Sequence, residues 1–141
     1  MKYAVIYFSR TGTSRGIAEK IANKLSVEPV EVTDNKDWDG ALGYMRAVKH
    51  AMKNSDVTIQ LHGQIGEAEE YVVVTPMWYG KITPAIRKLL QEVPKEKVHL
   101  IVSSGGMNLK ERDGYVSVLD IMKSKNNEDQ LIGEFIEGLS G

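Results

Sequence analysis

The segment from residue 9 to residue 14 carries the residue types best suited to holding an anion. It reads Ser9-Arg10-Thr11-Gly12-Thr13-Ser14 and lies between an apolar run and a segment with helical spacing. Amides at the start of a helix lack intrahelical partners and lie at the positive end of the helix dipole, and hydroxyl groups add donors. Gly12 allows the backbone to curl so that successive amides converge. The pattern favours a phosphate-binding turn, although an ordinary helix cap uses the same residue types.

Two further turns carry residues that could line the same site. One reads Thr75-Pro76-Met77-Trp78-Tyr79-Gly80-Lys81, and the other reads Ser103-Ser104-Gly105-Gly106. Each follows a predicted strand, and the carboxyl ends of parallel strands meet at one edge of a sheet, where ligands bind. Aromatic rings on a loop are unfavourable in water unless a flat ligand covers them. We therefore expect Trp78 or Tyr79 to face a ligand, with packing into the core as the alternative.

Composition and missing motifs exclude several classes of function. The chain has 141 residues, a net charge of −1 and no cysteine, so a basic nucleic-acid surface and thiolate sites are excluded. It lacks both G-x-x-x-x-G-K-[ST] and G-x-G-x-x-G, which disfavours nucleotide hydrolysis and dinucleotide binding. His50, His62 and His99 are widely separated, so we expect no metal or hydrolytic site. Without a signal peptide or a membrane-spanning apolar run, the expected location is cytoplasmic.

The elements that must position these turns alternate between strand-like and helix-like segments. Strands are predicted at residues 2–8, 28–33, 71–75 and 97–103, and helices at 14–25, at 41–53, from Thr83-Pro84 onward and at 111–124. Such alternation predicts an α/β fold with a doubly wound parallel sheet. Residues 54–70 are expected to form a long excursion, and residues 131–136 fit either a helical stripe or a fifth strand.

The three turns resemble the cofactor loops of the flavodoxin family. The first is similar to the loop that holds the phosphate of FMN, the second to the first loop flanking the flavin, and the third, more weakly, to the second flanking loop. Residues 43–47 also resemble the second helix of short-chain flavodoxins. The resemblance implies a single domain at residues 1–141, with a five-stranded sheet in the order 2-1-3-4-5 that binds FMN. It implies these cofactor-binding residues: Ser9, Arg10, Thr11, Gly12, Thr13, Ser14, Thr75, Pro76, Met77, Trp78, Tyr79, Gly80, Lys81, Ser104, Gly105 and Gly106.

The resemblance also predicts the secondary structure at the end of the chain. Residues 131–135 resemble the family's fifth strand, and only six residues follow them up to Gly141. We therefore expect the last helix to be missing or very short. An apolar sheet face would then be exposed, which is explained by a truncated chain, by a homodimer that covers the face, or by a rearrangement.

The function implied by the resemblance is that of an FMN-binding electron carrier with no catalytic residues. It would dock transiently with redox partner proteins, and neither nucleic acid nor a membrane span is expected. Gly80 would let a peptide turn toward the flavin, while Lys81 would either stabilise the reduced ring or lie in solvent. The alternative is an FMN-dependent reductase of quinones or other small acceptors, toward which the near-neutral charge points weakly. A third hypothesis is an interaction module that binds no flavin.

Overall fold

A computed structural model describes residues 2–10, 12–34, 58–65, 68–78 and 80–140 of the chain. Its strands are β1 (Tyr3–Tyr7), β2 (Val30–Asp34), β3 (Ile59–His62), β4 (Glu70–Trp78), β5 (Lys81–Ile82), β6 (Val98–Ser104) and β7 (Ser117–Met122). Its α-helices are α1 (Thr13–Leu25), α2 (Pro84–Leu89) and α3 (Glu128–Ser140). Short 3₁₀ helices occur at Lys95–Lys97 and Lys123–Lys125.

The strands form one mostly parallel sheet with helices packed on it. The order is β3-β2-β1-β4-β6-β7, and β5 pairs with β4 as a short hairpin. Strands β2, β1, β4, β6 and β7 are mutually parallel, whereas β3 and β5 run antiparallel to their neighbours. The α/β fold with a mostly parallel sheet and flanking helices is therefore confirmed. The parallel strands alone have the order 2-1-3-4-5, and the chain changes its direction of winding at β1.

Alternate side chains of β1 enter two different apolar layers, as its unbroken hydrophobic run predicts for a strand covered on both faces. Val5 and Tyr7 pack in a buried cluster with residues of α1 and α3. Ile6 and Phe8 pack in a second cluster with residues of α2. Because both faces are buried, the carboxyl end of β1 is fixed in place, and the turn after it begins from a rigid position.

Two predicted elements near the end of the chain are wrong. Residues 111–124 do not form a helix, because Ser117–Met122 is β7, which pairs in parallel with β6. β7 is the last strand in the described order of the sheet, and four of its six residues are only partly buried, while Ile121 is buried and Ser117 is exposed. Such an edge strand lacks the continuous apolar run of β1. Residues 131–136 do not form a strand either, because they lie within α3.

The prediction that the last helix is missing is also wrong. Helix α3 has 13 residues, and Ile132 on it is fully buried in the sheet–helix layer. Leu131, Phe135 and Ile136 pack against the same buried cluster. Their spacing is helical, and the helix follows this spacing rather than the resemblance to a strand. Since α3 packs on the sheet, the physical reason to expect a homodimer no longer applies.

The excursion at residues 54–70 contains a strand that the sequence analysis did not assign. The alternating Ile59 and Leu61 belong to β3, which pairs with β2 and contributes a hydrogen bond between Thr33 Oγ1 and His62 Nε2 at 2.7 Å. The predicted helix at 41–53, and with it the segment 43–47, lies outside the described residues. Within the described ranges, no helix is both long and apolar enough to cross a membrane.

A polar group is buried at the amino edge of the sheet, far along the strands from the three turns. His99 on β6 is only 6% exposed. Its Nδ1 lies 2.8 Å from Ser117 Oγ, and its Nε2 lies 2.8 Å from a carboxylate oxygen of Glu70. The rings of Tyr3 and Phe135 contact the imidazole edge-to-face. Strands β4, β6 and β7 are thereby tied together by satisfied hydrogen bonds.

Candidate functional site

A cavity of about 400 Å³ opens at the carboxyl ends of β1, β4, β6 and β7. This edge lies where the direction of winding changes, which is where open parallel sheets bind ligands. The residues that line the cavity are Ser9, Arg10, Thr13, Ser14, Pro76, Met77, Trp78, Ser103, Ser104, Gly105, Ile121, Met122, Lys123, Asn126, Asn127 and Glu128. The three turns singled out in the sequence therefore meet at one cavity, together with the segment between β7 and α3.

The first turn presents a helix start that no side chain caps. Gly12 is the N-cap residue of α1, with φ 96° and ψ −10°, and the first turn of the helix contains no acidic residue. The amide of Gly12 donates to Ser9 Oγ at 2.8 Å, so the turn closes on itself. Ser14 is buried, and its Oγ lies 3.3 Å from Ser103 Oγ. The positive end of the helix dipole and several hydroxyl groups thus face the cavity, while Thr11 lies outside the described residues.

The aromatic segment lies differently from the expected loop. Strand β4 continues to Trp78 instead of ending at residue 75 and then forms a hairpin with β5. Trp78 is only 8% exposed and contacts Phe8 edge-to-face, with ring centroids 5.7 Å apart. The ring is part of the apolar core and also lines the cavity together with Met77. Core packing and contact with the cavity therefore coexist, and Tyr79 lies outside the described residues.

The predicted cofactor-binding residues divide into two groups. Those that line the cavity are Ser9, Arg10, Thr13, Ser14, Pro76, Met77, Trp78, Ser104 and Gly105. The other described ones are Gly12, Thr75, Gly80, Lys81 and Gly106, which are absent from its lining. Thr75 is fully buried, and its Oγ1 lies 3.0 Å from Thr83 Oγ1. The carbonyl of Gly80 accepts a hydrogen bond from the Lys110 amide at 3.1 Å, so turning that peptide would cost this bond.

The sequence analysis missed one wall of the cavity. The residues not predicted are Ile121, Met122, Lys123, Asn126, Asn127 and Glu128, while Ser103 was named in the third turn but not among the cofactor-binding residues. The first three fall within residues 111–124, where a helix had been predicted, and the other three follow that segment. The carbonyl of Asn127 accepts the first hydrogen bond of α3, from the Leu131 amide at 3.0 Å. An asparagine pair followed by acidic residues is typical of a helix start and could have located this wall.

Asn127 also has an unusual side chain. Its Oδ1 is buried and has no hydrogen-bond partner in the described structure. Asparagine at a helix start usually accepts a bond from an amide of the first turn, and a buried acceptor without a partner is unfavourable by about 1–3 kcal/mol. Asn127 lines the cavity, so a rotation of its side chain would bring this atom within reach of a donor bound there.

The charges that line the cavity leave it positive. Arg10 and Lys123 are its two cationic residues, and Glu128 is its acidic one. The carboxylate of Glu128 is paired with Lys20 Nζ at 2.6 Å, and Asp129 contacts the same ammonium at 2.8 Å. Hydrogen bonds from Asp129 and Glu128 raise the pKa of Lys20, and the ammonium in turn lowers the pKa of Asp129. Lys20 thus pairs with both carboxylates, and the three cations Arg10, Lys123 and Lys20 exceed these two acids by one charge, which favours an anionic ligand.

Comparisons with known proteins find likeness in structure. The chain is similar to a flavoprotein from Lactobacillus acidophilus solved in complex with FMN, with 23% identity, a TM-score of 0.65, and coverage of 92% of this chain and 97% of the other. It is similar to a candidate flavoprotein from Bacteroides eggerthii, with 18% identity, a TM-score of 0.76, and coverage of 99% and 98%. A candidate flavoprotein from Bacteroides uniformis gives 17% identity, a TM-score of 0.68, and coverage of 92% and 97%.

No protein-family model and no curated protein matches the chain. The likeness is therefore carried by three-dimensional structure, along nearly the whole length of each chain. It agrees with the strand order described above, in which the parallel strands follow 2-1-3-4-5. The chain accordingly has the flavodoxin-like fold.

Proposed function

We propose that the chain binds FMN in the cavity at the carboxyl edge of the sheet and acts as an electron carrier. The observation that carries the proposal is the position of this cavity between the uncapped start of α1 and the ring of Trp78. The similar flavoprotein from Lactobacillus acidophilus was solved with FMN, which adds support. FMN, when bound, supplies the electron chemistry, and the protein supplies binding, orientation and the electrostatic environment.

The residues of the first turn fit the phosphate end of FMN. The turn at residues 9–14 combines hydroxyl groups with helix amides at the positive end of α1, and no acidic residue lies in the first helical turn. Arg10 adds a cation at the lining of the cavity. A dianionic ester is stabilised by such donors, whereas a neutral group gains much less from them.

The remaining walls fit a flat ring with polar edges. Met77, Trp78 and Met122 supply apolar and polarisable surface, and the volume of about 400 Å³ is within the range of cofactor sites. Asn127 lines the cavity, and after a rotation of its side chain the unpartnered Oδ1 supplies an acceptor for a donor on the ring. The chain's own part is to exclude water from one side of the ring and to satisfy its polar edge.

A direct test is to mix the purified protein with excess FMN, remove the unbound cofactor, and record the visible spectrum. The proposal predicts flavin absorbance that remains with the protein in a 1:1 ratio. A matched variant is Asn127→Asp, which adds a negative charge at the cavity and is expected to weaken FMN binding by about tenfold. A protein that keeps no flavin at any FMN concentration would refute the proposal.

The rim of the cavity supports a carrier that meets a partner protein. Met107 is 53% exposed and follows Gly105–Gly106, so its apolar side chain lies in water next to the cavity. A partner protein that docks at this rim would cover the side chain and gain from its burial. The second candidate is an FMN-dependent reductase of quinones or other small acceptors, which the net charge of −1 favours.

Carrier and reductase are distinguished by two measurements on the FMN-loaded protein. A reductive titration that resolves two well-separated one-electron steps supports the carrier. Steady turnover of NAD(P)H with a quinone by the protein alone supports the reductase. If Met107 contacts the partner, Met107→Gln slows electron transfer to a redox protein and leaves the two potentials unchanged.

A further inference from the structure

A second cavity, of about 490 Å³, lies beside the first and shares the hairpin of β4 and β5 with it. Met77 and Trp78 on β4 line the first cavity, while Lys81 and Ile82 on β5 line the second. The two cavities have no lining residue in common. Lys81, which the sequence analysis assigned to the first site, therefore belongs to a different one.

Three cationic side chains converge on this second cavity. Lys81 comes from β5, Arg87 from α2 and Lys95 from the 3₁₀ helix at Lys95–Lys97, against the one acidic residue Glu111. All three cationic residues are partly buried. Gathering like charges in a partly buried hollow is unfavourable unless an anion offsets them.

The two lysines have no anionic partner among the described residues. Neither ammonium group is in an ion pair there, and the contact of Lys95 Nζ is with the ring of Tyr115, 4.6 Å from its centroid. Lysine is usually fully solvated or paired. Two half-buried lysines without an ion pair among the described residues are available to an anionic ligand.

The rest of the lining is apolar. Ile82, Leu90, Leu109 and the ring of Tyr115 form it. Burial, and secondarily the negative charge of Glu111, raises the pKa of the Tyr115 hydroxyl. These side chains give a ligand with a nonpolar body an apolar surface on which to pack.

The walls of this cavity are held by hydrogen bonds, so the hollow is preformed. Asp120 on β7 accepts from the Leu109 amide at 3.1 Å and also pairs with Arg112. The Lys110 amide donates to Gly80, which fixes the same loop to the hairpin. Preformed hollows in which polar groups converge beside apolar surface are common small-molecule sites, and here four of the eight lining residues are charged.

We infer that the second cavity binds a small organic anion with an apolar body, of the class of aromatic carboxylates. Its carboxylate would contact the cationic groups of Lys81, Arg87 and Lys95, and its ring would pack on Tyr115 and the aliphatic side chains. This site does not depend on FMN binding in the first cavity. Because the two cavities have no lining residue in common, occupation of either is expected to affect the other only modestly.

The test is calorimetric titration of the protein with 1-naphthoate, with and without saturating FMN, and with the neutral 1-naphthalenemethanol and inorganic phosphate as comparison probes. Naphthoate is expected to bind in a 1:1 ratio in both conditions, about tenfold more tightly than either comparison probe, since a charge-assisted hydrogen bond and apolar burial act together.

Lys95→Gln should weaken naphthoate binding by about tenfold. Lys97→Gln changes an exposed lysine of the same 3₁₀ helix that does not line the cavity, and should leave binding within about twofold.

Three results would overturn the inference. The first is no naphthoate binding up to about 10 mM, which is weaker than a built site of this kind would give. The second is equal weakening by the two lysine variants, which would indicate general attraction to positive charge. The third is loss of naphthoate binding when FMN is added, which would place the anion in the first cavity.

Discussion

The glycine at the start of α1 gives the sharpest test of the anion-binding turn, because the same helix contains a matched control. Gly12 has φ 96°, whereas Gly16 lies inside α1. A Cβ built at either position meets no heavy atom within 4 Å. Replacing each by alanine therefore changes backbone conformational energy without introducing a clash.

The two substitutions should have opposite effects on stability. An L-residue in the left-handed region costs about 1–2 kcal/mol, so Gly12→Ala is expected to lower the free energy of unfolding by that amount. Alanine inside a helix is better than glycine by about 0.5–1 kcal/mol, so Gly16→Ala is expected to raise it. The two variants should thus differ by about 1.5–3 kcal/mol.

The same strain should affect FMN and riboflavin differently. If the turn relaxes to relieve the strain at Gly12, the amides and hydroxyl groups move from the phosphate. To the extent that the turn relaxes, the 1–2 kcal/mol is lost from FMN binding instead of from the stability of the free protein, so FMN affinity falls by up to about 5–30-fold while riboflavin binding is nearly unchanged. Urea unfolding and flavin-fluorescence titrations of both variants measure these quantities. A Gly12→Ala protein as stable as Gly16→Ala, with both flavins bound as in the parent, would refute the reasoning.

Three further predictions concern single side chains. His99→Leu is expected to lower the free energy of unfolding in urea by about 2–4 kcal/mol, because it leaves the partly buried carboxylate of Glu70 without its partner. Ser117→Ala should lower it by less than about 1 kcal/mol, because water can replace the serine hydroxyl. Asp129→Asn removes a carboxylate whose pKa Lys20 lowers from 3.8. Its contribution is present above pH 4 or so and is lost as the pH falls further, so the difference in stability from the parent should shrink in acid and with added salt; a difference that grows in acid would contradict this. Trp78→Leu should open a core cavity, lower stability by about 2–4 kcal/mol and weaken FMN binding; unchanged values of both would count against its double role.

The first half of the parallel sheet could be predicted because its strands are buried on both faces. The apolar run of β1 and the run of four residues Tyr71–Val74 read as strands without any tertiary information. Helix α1 followed equally from the spacing of Ile17, Ile21 and its neighbours. In these segments the local sequence pattern and the global fold agree, so the secondary structure could be predicted from the sequence alone.

The end of the chain could not be predicted in the same way, because its edge strand and last helix have ambiguous patterns. β7 is covered less completely than the central strands, and its partly exposed residues do not give a strong period of two. Residues 131–136 carry helical spacing that the structure follows, but a resemblance to a strand outweighed it in the sequence analysis. The fifth parallel strand was predicted at residues 131–135 instead of 117–122, so the cavity-lining residues between 121 and 128 were not included in the predicted site.

The residue types of the turns allowed an anion site to be predicted, but they did not show which side chains of the turns would line the cavity. Hydroxyl groups around Gly12 indicated an anion site, and the turn does lie at the cavity. Lys81 illustrates the limit, because a two-residue hairpin strand turns it toward the second cavity. The local sequence does not predict this hairpin, because β5 has only two residues and β4 ends in the apolar residues Met77 and Trp78.

A crystal structure of the protein grown with excess FMN would test the phosphate-binding turn and the flavin cavity together. We expect the phosphate within about 3 Å of amides or hydroxyl groups of residues 9–14, with the flavin ring in the cavity beside Trp78. A flavin bound at another surface, or a phosphate held by residues outside that turn, would contradict this expectation.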